Sequence, residues 1–156
     1  MDRSPTAIHR RLHDLVGRCR AAGMHVTPQR LAVYRALLES DDHPSPEVLF
    51  RRVKKVMPSL SLATIYKALE TLEQLGVIEE VATASDAKRF DANCEQHHHL
   101  VCTRCDKVVD LYDARFDRLT APRSLGGFVV EELTVQVRGL CAACARQTRK
   151  SRRRRA

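Results

Sequence analysis

Two Cys-x-x-Cys pairs, Cys102-Thr103-Arg104-Cys105 and Cys141-Ala142-Ala143-Cys144, stand 35 residues apart in a chain of 156. Each spacing lets two thiolates grip one face of a tetrahedral ion, and four thiolates complete the shell of zinc. A closed sulfur shell leaves no position for a substrate, so the pairs predict one structural Zn2+ per chain, stapling the start of a small module to its end. A redox dithiol and a pair of disulfides are the rival chemistries. Two matched pairs flanking a short strand-rich stretch favour zinc, which contributes about 10–16 kcal/mol to the folding of small zinc peptides.

A run of histidines, His97-His98-His99, immediately precedes the first pair. On a strand, alternate residues share a face, so His97 and His99 converge while His98 points away. Imidazoles bind several transition metals, and the nearby carboxylates of Asp91 and Asp110 add affinity for manganese and iron. His43, in Asp42-His43-Pro44, has no packing role visible in the sequence; it reads as a solvated loop histidine or as a further ligand. Cys94 is a loop cysteine three residues before His97, and Cys19 reads as a small core residue.

The elements that must hold these groups divide into two modules. Thr27-Pro28 and Ser45-Pro46 each place an N-cap before a proline at the first helical position, predicting helices over about 28–40 and 46–56. Ser61 caps a third, with Leu62, Ile65, Leu69, Leu72 and Leu75 on one face and Gly76 as its stop. A leading helix covers about 5–22. Val77, Ile78 and Val81 then read as a strand, and Lys88 to Asp91 as its returning partner. Helices followed by a two-stranded wing make a winged helix-turn-helix, with the last helix directed at the DNA major groove. Its N-terminal half carries Ser61, Thr64, Tyr66 and Lys67, residues suited to base and phosphate contacts. A generic helical bundle with a hairpin has the same pattern.

The second module is expected to contain strands at Val101 and at Val108 to Leu111, and a short helix capped by Asp113 and carrying Phe116 and Leu119. A last strand is expected where Leu133, Val135 and Val137 alternate with polar residues. Some fifty residues of this kind bury little of themselves, and pairing with a second copy would remedy that. The expected class is α+β: a winged helix with its hinge over 1–92, a small α/β dimerisation and metal-binding domain over 93–148, and a basic, disordered tail over 149–156.

Charge is a weaker guide than its total implies. The chain holds 27 Lys and Arg against 19 Asp and Glu, a formal +8, but six basic residues lie within 149–155. Residues 1–81 carry 12 basic and 10 acidic residues, and residues 82–148 carry nine of each. The folded part is nearly neutral, so net charge alone argues poorly for nucleic acid. The Arg-rich segment reads as sequence-independent phosphate contacts or as a solubilising end. No run of eighteen apolar residues occurs and the N-terminus lacks an apolar signal core, so no membrane association and a cytoplasmic location are expected.

Several segments together resemble the ferric uptake regulator family: Val26-Thr27-Pro28-Gln29-Arg30, Ser61-Leu62-Ala63-Thr64-Ile65-Tyr66, Arg89-Phe90-Asp91, the stretch His97 to Cys105, and Gly139 to Cys144. The match spans about residues 10–145 and combines independent motifs in order. It implies a homodimeric, metal-dependent transcriptional repressor of double-stranded operator DNA, and not an enzyme. Carried over by position, it implies that His43, Asp91, His97, His99 and Asp110 form a regulatory site for one Fe2+ or Mn2+ per chain. It implies the four cysteines as the structural zinc site, Tyr66 as the tyrosine of the recognition helix, and Arg30 as the arginine after the helix-opening proline. Ligands drawn from both modules would let metal binding fix the angle between them.

Asp at position 91, and its spacing to His97 and His99, resemble the peroxide-sensing branch of the family. There iron held by histidines and carboxylates turns peroxide against a ligand, which implies His43 and His97 as oxidation-sensitive residues. Leucine at 133 departs from iron and zinc sensors that place a histidine there, leaving a further site on His98 and Asp117 incomplete. The alternatives are a regulator responding to iron level alone and, more remotely, a zinc sensor or a zinc enzyme. Neither H-E-x-x-H nor the deaminase signature is present.

Overall fold

The computed structural model describes residues 1–83, 85, 87–131 and 133–153, with the backbone alone for 149–153. Two compact units emerge. The first comprises residues 1–82 and 87–94, and the second comprises residues 95 onward together with Thr83 and Ser85.

The first unit opens with four helices: α1 (Pro5–Ala21), α2 (Pro28–Leu38), α3 (Pro46–Val53) and α4 (Leu62–Gln74). Each begins at a Ser or Thr whose side-chain oxygen accepts a backbone N–H of the first turn: Ser4, Thr27, Ser45 and Ser61. That satisfies a donor the helix cannot pair internally. Leu15, Val33, Leu49, Ile65 and Leu72, from all four helices, are completely buried in one core. Cys19 is buried in the same cluster.

Strands β1 (Glu79–Val81) and β2 (Arg89–Asp91) form an antiparallel wing in which Glu79 faces Asp91 and Val81 faces Arg89. The strand expected from Val77 starts two residues later because the helix cap takes its first residues. Gly76, at φ 63°, donates to the Glu73 carbonyl, and Val77 donates to that of Leu72. This is the paired closure of a Schellman cap. α3 likewise ends at Val53, before the expected 56. Tighter bonds from Lys55 to Arg52 and from Val56 to Val53 close its last turn, leaving Val56 exposed.

The second unit is built on a three-stranded sheet ordered β4-β3-β7, with β3 (His98–Cys102) central, antiparallel to β4 (Val108–Leu111) and parallel to β7 (Gln136–Gly139). Between β4 and β7 lie a one-turn helix α5 (Ala114–Asp117), capped by Asp113, and a hairpin of β5 (Ser124–Leu125) and β6 (Phe128–Val129). Gly126 and Gly127, at φ 56° and 86°, make a two-residue loop with both central residues left-handed, the turn a tight hairpin requires. The alternating strand expected from Leu133 joins the sheet later: Val135 accepts the His99 N–H at 3.1 Å and the paired register runs from Gln136.

Helix α6 (Ala142–Arg153) follows Cys141. Its backbone runs through residues 149–153, where a disordered tail was expected. Arg and Lys are good helix formers, and the turn nucleated at Cys141 propagates through them. Residues 154–156 of that expected tail lie outside the described residues. Among the described residues no helix is long and apolar enough to cross a membrane.

Candidate metal centres and nucleic-acid surface

The four cysteine sulfurs of the second unit come within 4.8 Å of one another, and Cys105 Sγ lies 3.8 Å from Cys141 Sγ. A tetrahedron of sulfurs about 2.3 Å from a zinc ion has edges of about 3.8 Å, so this spacing fits zinc ligation and is far too long for a disulfide. β3 and its turn deliver the first pair. The Asp106 N–H closes the turn onto the Cys102 carbonyl, with Asp106 itself at φ 52°. The start of α6 delivers the second. The Cys141 N–H donates to Cys102 Sγ at 3.4 Å, and with the N–H groups of Arg104 and Cys105 it draws the Cys102 thiol down to about 6. Burial, together with the neighbouring sulfurs, pushes Cys144 up to about 12. Four thiolates this close repel one another, and a central cation is what offsets the repulsion.

The histidines and carboxylates form one group in each unit. In the first, His43 is buried at φ 45°, a left-handed conformation uncommon outside glycine. Its Nε2 lies 2.9 Å from Oδ2 of the equally buried Asp91. Asp91 Oδ1 accepts the Asn93 N–H at 2.8 Å. The loop carrying His43 is stitched to β2, since Phe90 N–H donates to the Pro44 carbonyl and Arg89 to that of His43. On its other side Arg52 forks both guanidinium nitrogens onto Asp42, at 3.1 and 2.7 Å. Pairing with Arg52 holds the Asp42 carboxyl below the usual range.

In the second unit, His99 and Asp110 are cross-strand neighbours. The ring of His97 lies 4.4 Å from that of His99, and its Nε2 is 3.8 Å from Asp110 Oδ1. His97 Nδ1 sits 2.7 Å from the Glu95 carbonyl, which can only accept, so the Nδ1–H donates and Nε2 keeps its lone pair for a ligand. Tyr112 stacks on His97 and donates to Asp110 Oδ2 at 3.1 Å. The reading of the sequence missed Tyr112, although its two-residue offset from Asp110 put both on one face of the chain. His98 turns away from His97 and His99. It is buried, accepts the Val135 N–H at 3.1 Å and lies 3.5 Å from Asp117.

Of the residues expected at DNA, Arg30, Thr64 and Lys67 line one open groove with His25 and Gln29. Ser61 and Tyr66 do not join it. The Ser61 hydroxyl caps α4 and pairs with that of Thr64, and the exposed Tyr66 donates to Glu47 at 2.9 Å. Arg30 bonds the His25 carbonyl.

A winged helix followed by a sheet unit with a four-cysteine cluster, and histidine–carboxylate groups in each unit, defines a metal-responsive DNA-binding regulator. The ferric uptake regulator family model matches residues 21–138, and the chain belongs to that family of repressors. Its members are DNA-binding regulators rather than enzymes. The peroxide-responsive repressor PerR of Staphylococcus epidermidis is 30% identical over 139 residues, covering 88% of this chain and 93% of that protein. The Campylobacter jejuni peroxide stress regulator superposes with a TM-score of 0.62 at 33% identity, over 85% of this chain and 98% of that one. The Helicobacter pylori ferric uptake regulator, a structure with three functional metal sites, reaches 0.73 at 19% identity, over 88% and 93%. That likeness bears on the fold.

Proposed function

We propose that the protein is a homodimeric repressor that binds operator DNA when loaded with Fe2+ or Mn2+ and releases it on reaction with peroxide. The observation that carries this reading is the sulfur-free donor set divided between the units. Two donors, His43 and Asp91, or three, His97, His99 and Asp110, do not saturate a six-coordinate ion; five together nearly do, in a mixture of nitrogen and oxygen suited to iron or manganese. Closing both groups on one ion would hold the two units at one angle and hence set the spacing of two α4 helices along DNA.

His43 enters this site strained and buried, and the Glu95 carbonyl holds His97 as the tautomer that offers Nε2. Iron(II) held by these residues would supply redox chemistry toward peroxide, by which one peroxide oxygen would end on an adjacent imidazole, a two-electron oxidation of the ring, and the other would leave as water. An oxidised ring at His43 or His97 no longer matches the site, so the dimer lets go. The similarity to peroxide-responsive relatives at 30% and 33% identity supports this signal. Four cysteine sulfurs within 4.8 Å of one another, Cys105 and Cys141 at 3.8 Å, support a separate, structural zinc. Homodimerisation is supported by the apolar face of the sheet, where Leu100 lies beside Val109 and Val137. There Leu100 is 40% and Val109 37% exposed.

The test loads the protein with Fe2+, adds equimolar peroxide and weighs its tryptic peptides. One added oxygen on the peptide holding His43 or His97, with loss of binding to duplexes selected from a random library in Mn2+, is expected. Unmodified peptides together with metal-dependent DNA binding would leave a regulator of metal level. Metal-independent binding would overturn the repressor mechanism itself.

A further inference from the structure

Tyr112 directly follows strand β4 and is 60% exposed, too open to serve as a core side chain. Its contacts go to two of the three donor residues that the second unit gathers, Asp110 and His97. The phenol O–H donates to Asp110 Oδ2 at 3.1 Å, and the ring stacks on that of His97 at 6.0 Å with 26° between the planes. Asp110 Oδ1 is the oxygen turned toward His97, 3.8 Å from its Nε2. The two oxygens of one carboxylate are therefore committed differently, one to a phenol and one toward the donor group. The Asp110 side chain is only 16% exposed, so an oxygen released by Tyr112 would seek a new partner within the group before it found water.

We propose that Tyr112 is a positioning residue that sets the metal preference of this group: by holding Oδ2, it makes Asp110 a ligand through Oδ1 alone. A carboxylate can serve a cation through one oxygen or through both, and a hard ion such as Mn2+ gains more from an added oxygen than ions that favour imidazole. With Oδ2 held by the phenol, the second unit offers two imidazole nitrogens, of His97 and His99, and one carboxylate oxygen. With Oδ2 released, nitrogen and oxygen come into balance. The Tyr112 hydroxyl thus biases selection away from Mn2+ and toward ions such as Fe2+ and Co2+. The proposal rests on the reading of His97, His99 and Asp110 as ligands of a divalent cation, and on neither the peroxide signal nor DNA.

The test compares the wild type with Tyr112→Phe, which keeps a ring over His97 and deletes only the hydroxyl. Substitution of so exposed a side chain leaves the fold little affected, and equal zinc content and equal helicity by circular dichroism confirm it. Both zinc-loaded proteins are titrated with Mn2+ and Co2+, singly and in competition. Free Mn2+ is read by electron paramagnetic resonance and bound Co2+ by its visible absorption. The ratio of Mn2+ to Co2+ affinity is expected to rise about tenfold in the variant, the low end of what partners of ligating groups control, with a changed Co2+ spectrum as the donor set changes. An unchanged ratio overturns the proposal. So does an equal loss of affinity for both ions, which makes Tyr112 a brace without selectivity, and so does a shift toward Co2+. Wild-type protein that takes up neither ion beyond its zinc sinks the reading of these residues as ligands, and the proposal with it.

Discussion

The two units keep their shape by different means. In the winged helix, apolar side chains from four helices meet in one core, and Leu15, Val33, Leu49, Ile65 and Leu72 have no exposure at all. Among the described residues of the second unit, the buried apolar side chains are Val101 and Val108, with Cys102 and Cys144 beside them. Large ones face outward: Phe128 is 77% and Val129 82% exposed. A unit this small gains too little from burial to offset the entropy of ordering its chain. The sulfur cluster links the turn after β3 to the start of α6, and the outward apolar face suits a second copy. The first unit thus has an apolar core of its own, whereas the second, on the proposed reading, would draw its stability from a metal and a partner.

Breaking the cluster is the most severe challenge to that contrast. Cys141→Ala, or chelation, is expected to cost the second unit most of the metal's contribution, on the order of 10 kcal/mol in small zinc domains. Hydrogen exchange should then show β3, β4 and β7 unprotected while α2 and α4 remain protected; joint loss of both units would contradict two separate bases of stability. Leu72→Ala attacks the other side, removing a fully buried side chain at a cost of about 2–5 kcal/mol. Denaturant melts should show the first unit weakened while bound zinc is retained.

Leu100→Asp places a charge on the outward sheet face and is expected to weaken dimerisation roughly 30-fold, about 2 kcal/mol, by analytical ultracentrifugation. Zinc content should not change. The mildest change is Asp42→Asn, which releases Arg52 beside the His43 loop. Both partners of this pair are more than a third exposed, so its loss costs less than about 1 kcal/mol at neutral pH. The Asp42 carboxyl is held below its ordinary 3.8. Its contribution is therefore present above that value and vanishes as pH falls through the lowered pKa. Wild type and variant should converge in stability at acid pH.

Much of this was legible in residue order. Each of the caps Thr27, Ser45 and Ser61 opens the helix it was expected to open, because a local side-chain to backbone bond needs only neighbours. The Cys-x-x-Cys spacing likewise carries its own geometry, and the four sulfurs gather as it implied. Gly126-Gly127 was legible as a turn into a following strand, but β5 and β6 beside it, two residues each, are too short to show an alternation. β1 began late because the Gly76 cap consumed Val77, a competition between two local rules that periodicity alone does not rank.

By itself, then, the sequence determined the caps, the helix stripes and which residues could ligate, since each depends on chain neighbours and intrinsic chemistry. Tertiary structure alone decided that His43, 48 residues from Asp91, pairs with it at 2.9 Å in a left-handed turn. It alone decided that His99 meets Asp110 across the β3–β4 pair and that the buried His98 accepts the N–H of Val135, 37 residues away. These depend on where distant segments meet, and such meetings follow from burial of a whole core or closure of a whole cluster.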